Sequence, residues 1–271
     1  MADRAKNLRI MTWNINSVRL RAELVLKAAA EMRADVICLQ ETKCPDENFP
    51  HDVFEAAGFI HRHINGMKSY NGVAILSKVP FEKTDIHHRV GREDCRHIMV
   101  RIAGMDLHDL YIPAGGDIPD RDQNEKFGHK LDFVDELKTW FGTQYKKTDR
   151  AMVVGDFNIA PFEHDVWSHK QLLNVVSHTP IEVERLTAFS TALDWVDVGR
   201  HFVPMDEKLY TWWSYRNRDW RKSNRGRRLD HIWVTLPLKE ALKSHDVLAD
   251  ARDWEKTSDH VPVAVEIDLA A

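Results

Sequence analysis

The strand-like runs of this chain constrain its fold most, because some alternate with helices and others follow one another with no helix between. Short apolar runs bounded by polar residues read as buried strands at 8–13, 36–39 and 152–155. Between the first two, Leu20, Leu24, Val25, Ala28, Ala29 and Met32 recur at spacings of three and four, which predicts a helix over 19–33 with one apolar face. A Pro-containing loop (44–50) precedes a short helix over 52–57 that ends at Gly58. Strands are then expected at 59–64, 72–77, 97–102 and 107–112, a series with no helix inside it. The loop PAGGDIPDRD (113–122) leads into a helix over 123–141, with Phe127, Leu131, Val134, Leu137 and Phe141 on one side. A helix at 181–193 and strands at 231–235 and 261–267 complete the pattern. Simple strand–helix alternation cannot hold the helix-free series, and an all-β sandwich cannot hold the helices. Two packed sheets with helices outside accommodate both.

The chain has 271 residues, 43% of them hydrophobic and nine of them Trp, enough to bury a sizeable core. No linker-like boundary interrupts it, so residues 1–271 read as one domain. No apolar run approaches the roughly 18 residues that cross a bilayer, and MADRAKNLRI lacks the apolar centre of a secretory signal. Three cysteines with no C-x-x-C pair fit a reducing compartment and argue against a disulfide framework or a zinc site. The expectation is a cytoplasmic protein with no membrane partner. MTWNIN and VGDFNIA each place Asn-Ile just past an apolar strand, a short echo that permits two related halves.

Net charge is −4, but its distribution is uneven. Residues 216–228, RNRDWRKSNRGRR, carry seven Lys/Arg against one Asp, a net +6 on a body of −10. A basic strip on an acidic body suits an enzyme that binds a polyanion and holds metal-binding carboxylates elsewhere.

Polar groups gather at the expected strand ends. Asn14 and Asn16 follow the first strand, Gln40 and Glu41 the second, and Asp156 and Asn158 the run at 152–155. Asp230 precedes the strand at 231, and Ser258-Asp259-His260 precedes the last. Singly, such residues are ordinary turn formers. As a set at strand ends, where scaffold meets solvent, they read as a site. Carboxylate and amide oxygens suit Mg²⁺ or Mn²⁺ rather than zinc.

The motifs WNINSVRLR (13–21), LQETK (39–43), NGVAILSK (71–78), GDFNIAP (155–161), NRGRRLDHI (224–232) and SDHVPV (258–263) resemble, in order, those of the exonuclease III family. These are apurinic/apyrimidinic (AP) endonucleases of the endonuclease–exonuclease–phosphatase superfamily. The resemblance implies an α/β fold, a four-layer α/β/β/α sandwich of two stacked mixed β-sheets flanked by helices. It implies Glu41 as principal metal ligand, with Asn14, Asp156, Asn158, Asp259 and His260 completing or bordering one or two metal positions. Asp156 would orient or deprotonate the attacking water, and Asn158 would hold a phosphate oxygen. His260, oriented by Asp230, would contact the scissile phosphate. Tyr111 matches the family's active-site tyrosine and Lys126 the lysine after the following loop. Trp212 and Leu229 match positions that enclose a base-free sugar, and Arg225 joins them as a substrate contact within the basic strip. Arg227 stands where some relatives carry a large aromatic, and PAGG (113–116) is less polar than the loop of several members.

The implied activity is Mg²⁺-dependent incision 5′ to abasic sites in double-stranded DNA, with 3′→5′ exonuclease and 3′-end-cleaning activity, by a monomer. Two other readings remain open. One is a superfamily phosphodiesterase acting on RNA, inositol phosphates or a lipid headgroup. The other is a catalytically silent nucleic-acid-binding module, for which six metal- and phosphate-handling groups would have no use.

Overall fold

The computed structural model describes residues 7–217 and 219–270. One sheet contains β1 (Asn7–Asn14), β2 (Val36–Gln40), β3 (His61–Asn65), β4 (Val73–Ser77), β11 (Leu242–Val247) and β12 (Val263–Asp268). The other contains β5 (Lys83–Ile86), β6 (His97–Ile102), β7 (Met105–Tyr111), β8 (Ala151–Asp156), β9 (Val196–Asp197) and β10 (Asp230–Val234). Their orders are β11-β12-β1-β2-β4-β3 and β5-β6-β7-β8-β10-β9. Each sheet has one parallel pair, β1–β2 and β7–β8, at the same place in its order, and every other pair is antiparallel. The parallel pairs need helical crossovers. These are α1 (Val18–Glu31) and α3 (Glu125–Gln144). Shorter helices are α2 (His51–Ala56), α4 (His169–Leu172), α6 (Val198–Phe202) and α7 (Trp220–Ser223), and α5 (Pro180–Ala192) packs on α3.

Period-two alternation sorts the core into layers. Leu8, Ile10, Val36, Cys38 and Ile75 of the first sheet meet Val100, Leu107, Met152, Val154 and Ile232 of the second. The opposite faces carry Met11, Trp13, Ile37 and Leu39 against α1 and α2, and Leu110, Val153 and Trp233 against α3 and α5. Both faces are therefore apolar on the central strands, which gives the expected α/β/β/α sandwich. The first and last strands pair, Asn7 opposite Asp268.

Several elements depart from expectation. The apolar face of α1 excludes Leu20, which is 75% exposed. Arg21 has non-helical angles (φ −132°, ψ 15°), so the first turn is rotated relative to the rest. The strand expected at 59–64 begins at His61, because Phe59 turns into the core beside α2. β5, β9 and β11 escape sequence reading: β9 has two residues, and β5 and β11 are mostly polar edge strands. The echo of MTWNIN in VGDFNIA matches β1 with β8, whereas the topology makes β7 the counterpart of β1 and β8 that of β2. No helix among the described residues is long and apolar enough to cross a membrane.

Candidate active site

The C-terminal ends of both parallel pairs converge. Tyr111 lies opposite Asp156 and Asn14 opposite Gln40, while antiparallel β10 brings Asp230 opposite Asp156. Just past these ends the backbone turns left-handed at Asn16 (φ 48°), Glu41 (φ 52°) and Asn158 (φ 54°). Asn adopts such angles readily, so the strain, of order 1–3 kcal/mol, falls on Glu41. Gly155 is required for a different reason: a Cβ there would lie 2.0 Å from the Leu110 carbonyl oxygen.

One amide joins the two sheets. Asn14 Nδ2 donates to Glu41 Oε1 at 2.9 Å and to Asp156 Oδ2 at 2.8 Å. The Tyr111 hydroxyl donates to Glu41 Oε1 at 2.9 Å, and Lys43 Nζ lies 2.7 Å from Glu41 Oε2. Burial would raise the Glu41 pKa, but Lys43 and Asn14 hold it below the usual carboxylate range. Asn158 Nδ2 donates to Ile112 O at 2.9 Å and to Asp156 Oδ2 at 3.0 Å. Both amide hydrogens of Asn158 are thus spent within the protein, so the phosphate contact implied by the resemblance would need them to exchange partners.

The Ser258-Asp259-His260 segment is fastened to β1. Ser258 Oγ donates to Asn14 O at 2.7 Å, and Trp13 Nε1 donates to His260 O at 2.9 Å. His260 Nδ1 lies 2.9 Å from Asp230 Oδ2, and Nε2 lies 3.7 Å from Asp156 Oδ2. Burial disfavours an imidazolium here, but Asp230 and Asp156 outweigh it and lift the His260 pKa to about 10. Burial, reinforced by Asp230 against the pull of His260, lifts Asp156 to about 7. A charged donor thus faces a carboxylate able to take up a proton near neutrality.

Asp156, Asp230 and His260 offer ligand atoms close enough to share an ion. Asp230 is already engaged by His260 and by the Thr211 hydroxyl at 2.6 Å, so Asp156 with Glu41 is the more available pair. A second cluster, His87, His97 and His108, lies under α3. There Arg89 donates to His97 Nδ1, leaving the proton on Nε2 to point at His108 Nδ1, 2.9 Å away. That tautomer cannot bind a metal through Nε2, so the cluster is a hydrogen-bonded ladder. His87 lies at its edge, its ring centre 4.6 Å from that of Trp140 and tilted by 56°.

A cavity of about 1010 Å³ opens beside this centre. Glu41, Asp156, Asn158, Asp259 and His260 line one side, and Trp212, Leu229 and Arg225 line the other. Trp212 Nε1 donates to Asp259 Oδ2 at 2.9 Å, tying the two sides together. Asn14, Tyr111 and Asp230 lie behind the surface, and Lys126 is exposed on the first turn of α3, outside the lining.

Sequence reading passed over Lys130, fully buried, whose Nζ donates to Asn158 O at 2.8 Å and Ala114 O at 3.2 Å and pairs with Glu182. Its signal was a charged residue at the i+3 position from Phe127 on an otherwise apolar face. Thr211 and Lys43 carried no such signal. The basic strip is less free than its composition suggests. Arg221 is tied to Asp250 and Asp253, and Arg228 is buried between Asp165 and Asp197. Arg216, Lys222 and Arg225 remain exposed, and Arg218 lies outside the described residues.

Two sheets meeting in a cluster of carboxylates, amides and a charged histidine beside an open cavity define a class of hydrolase that works on phosphate esters. The family model for the endonuclease/exonuclease/phosphatase family matches residues 11–260, and this chain belongs to that family, as an enzyme of its nuclease phosphodiesterases. It is 28% identical to exodeoxyribonuclease III of Haemophilus influenzae over 275 residues, covering 96% of this chain and 99% of the relative. Among solved structures, an AP endonuclease from Archaeoglobus fulgidus superposes with a TM-score of 0.89 at 33% identity, covering 96% of this chain and 99% of that one. A 3′ phosphatase from Neisseria, bound to a product DNA hairpin, superposes at 0.87 with 28% identity, covering 96% and 99%. These relatives place the chain with the exonuclease III-like and AP endonuclease-like DNA repair nucleases.

Proposed function

We propose that this chain is a Mg²⁺- or Mn²⁺-dependent DNA repair phosphodiesterase. It incises double-stranded DNA 5′ to abasic sites, clears blocked 3′ ends and resects in the 3′→5′ direction, leaving 3′-hydroxyls. The observation that carries this reading is Asn14 holding Glu41 and Asp156 on the two hydrogens of one amide, beside His260 braced by Asp230.

The donor set fits a hard divalent cation. Glu41 and Asp156 concentrate negative charge that Lys43 and His260 balance in its absence. Asp259 and Asn158 border the same space. A bound cation supplies charge neutralisation at the phosphate and a lowered pKa for water. The chain's own groups do the rest. Asp156 orients the attacking water and accepts its proton. Asp230 fixes the ring of His260 so that Nε2 donates to a phosphate oxygen as charge builds there. Tyr111 and Asn14 hold Glu41, and Lys130 holds the backbone of Asn158 in place. Trp212, Leu229 and Arg225 receive the group beyond the scissile phosphate, and Lys126 meets DNA outside the cavity. In this reading residues 1–271 act as one catalytic domain and as a cytoplasmic monomer.

Matched duplexes bearing an abasic site, a 3′-phosphate or a plain recessed end test the proposal. Cleavage that leaves 3′-hydroxyl ends is expected. Hydrolysis of RNA or a phosphorylated small molecule, with all three duplexes intact, would overturn it.

A further inference from the structure

Three arginines line the cavity, and they differ in surroundings. Arg216 and Arg225 are exposed at its rim. Arg227 is half-buried in the wall among Leu172, Val175, Leu229 and Trp212. Its Nη1 donates to Val176 O at 3.0 Å and to Ser177 Oγ at 2.7 Å, and its guanidinium lies 5.3 Å from the centre of the Trp212 ring. Its Nε is unpartnered and shut off from solvent, and Nη2, which meets no acceptor among the described residues, is the donor left for a ligand. Among the described residues, no carboxylate oxygen lies within the 4.0 Å of an ion pair with it. The next residue provides the contrast, since Arg228 is buried but paired with both Asp165 and Asp197. Glu182, the acid that most influences Arg227, is spent on Lys130, Ser177 and Thr179. Burial accordingly pushes the Arg227 guanidinium down from its usual pKa, with only Glu182 opposing.

A guanidinium drawn out of water without a counter-charge is costly, and an anion in the cavity removes that cost. We propose that Arg227 is a specificity-determining residue, making the pocket select a sugar remnant that carries a carboxylate over a neutral one. The proposal rests on the function proposed above, in which the cavity receives the group beyond the scissile phosphate. Oxidative breakage of deoxyribose leaves such a remnant, a two-carbon carboxylate esterified to the 3′-phosphate. In its removal the water oxygen bonds to phosphorus, the bond from phosphorus to the 3′-oxygen breaks, and that oxygen leaves protonated. The remnant departs with its phosphate. A carboxylate oxygen can accept from Nη2 and pair with the guanidinium charge, which its half-buried position leaves less screened than the charges at the rim. A phosphate of the intact strand beyond a lesion offers similar charge from another source.

The test uses three duplexes of one sequence. They carry a 3′-phosphoglycolate end, a neutral 3′-phosphohydroxyethyl end of the same length, and an internal abasic site. Single-turnover rates are measured for the wild type, Arg227→Gln and Arg227→Lys, with equilibrium binding of each duplex in EDTA. The wild type is expected to favour the carboxylate over the hydroxyethyl end by roughly tenfold to a hundredfold, the range of one charged hydrogen-bonded pair. That ratio should fall towards one in Arg227→Gln and be partly kept in Arg227→Lys. A wild-type ratio near one overturns the proposal without any variant. An unchanged ratio in Arg227→Gln, with the abasic duplex slowed, also overturns it and assigns the guanidinium to a backbone phosphate. Selective binding of the carboxylate end in EDTA, without cleavage of any duplex, would keep the pocket assignment and sink the reaction.

Discussion

The two sheets share one strand pattern, yet they contribute differently to the site. The first supplies Asn14 and Glu41 at the ends of its parallel pair, on short and tightly bonded loops. The second supplies Tyr111 and Asp156 at the equivalent ends, and long segments follow its strands. Those segments carry most of the cavity wall: Ala114 to Asp117, Trp167 to Ser177 and Trp212 to Leu229. A repeated scaffold thus holds a symmetric pair of acids, while one half alone shapes what lies beside them. Chemistry sits on the rigid ends that both halves share, and selectivity sits on the loops of one.

If that division holds, the largest losses come from the second half's acid and the histidine facing it. Asp156→Asn and His260→Ala should each lower single-turnover cleavage on the order of 10² or more, with DNA affinity changed far less. Losses confined to DNA affinity would turn these residues into substrate contacts. Glu41→Gln, in the first half, should raise the Mg²⁺ needed for half-maximal rate by about tenfold or more and recover rate at high Mg²⁺. Recovery by Asp156→Asn as well would erase the distinction between the two acids.

The halves should also differ in acid. The fully buried strand histidines, His97, His108 and His231, all lie in the second sheet; in the first, His61 and His63 are half-buried, and burial with Arg228 nearby pushes the edge-strand His245 down to about 4 as well. Burial, with Arg228 adding to it, pushes His231 down to about 4. Between that value and the unfolded pKa of about 6.5, only the unfolded chain takes up the proton. Stability from neutral His231 is therefore complete above pH 6.5 and falls with pH, by about 2 kcal/mol at pH 5. Urea melts at pH 7 and pH 5 should show this loss in the wild type and less of it in His231→Gln. Amide exchange should quicken in the second sheet and along the edge strand β11 before the rest of the first sheet, and uniform quickening would contradict the assignment.

The smallest effect concerns the basic strip. Replacing Lys222 and Arg225 by Ala should lower the log–log salt slope of DNA binding by up to about 2, near 0.9 per phosphate contact. Arg221→Ala should hardly move it, because Asp250 and Asp253 already balance that charge. Equal effects from Arg221 and Arg225 would mean that DNA breaks the ion pairs of Arg221.

What the sequence made legible follows this division. Central strands buried on both faces read as apolar runs, and the polar residues at their ends read as a site, because both signals are local. β5 and β11 did not read, since polar edge strands take their shape from a neighbour rather than from their own pattern. The ion pairs of Arg221 and Arg228 join residues about 30 to 60 positions apart, and nothing in RNRDWRKSNRGRR marks which cations they take. Lys130 could have been found, because a charge on an apolar helix face requires a buried partner. The counterpart relation of β1 to β7 was hidden because it lies in pairing order and not in residue identity.

The central claim is that the acids of both halves act together on a phosphodiester with a divalent cation. Single-turnover cleavage of a duplex with one abasic site, measured in EDTA and again after Mg²⁺ is restored, tests it most directly. The account expects cleavage to stop in EDTA and return with Mg²⁺, with Glu41→Gln requiring more Mg²⁺ than the wild type. Full cleavage in EDTA, or a Glu41→Gln titration that overlays the wild type, would contradict it.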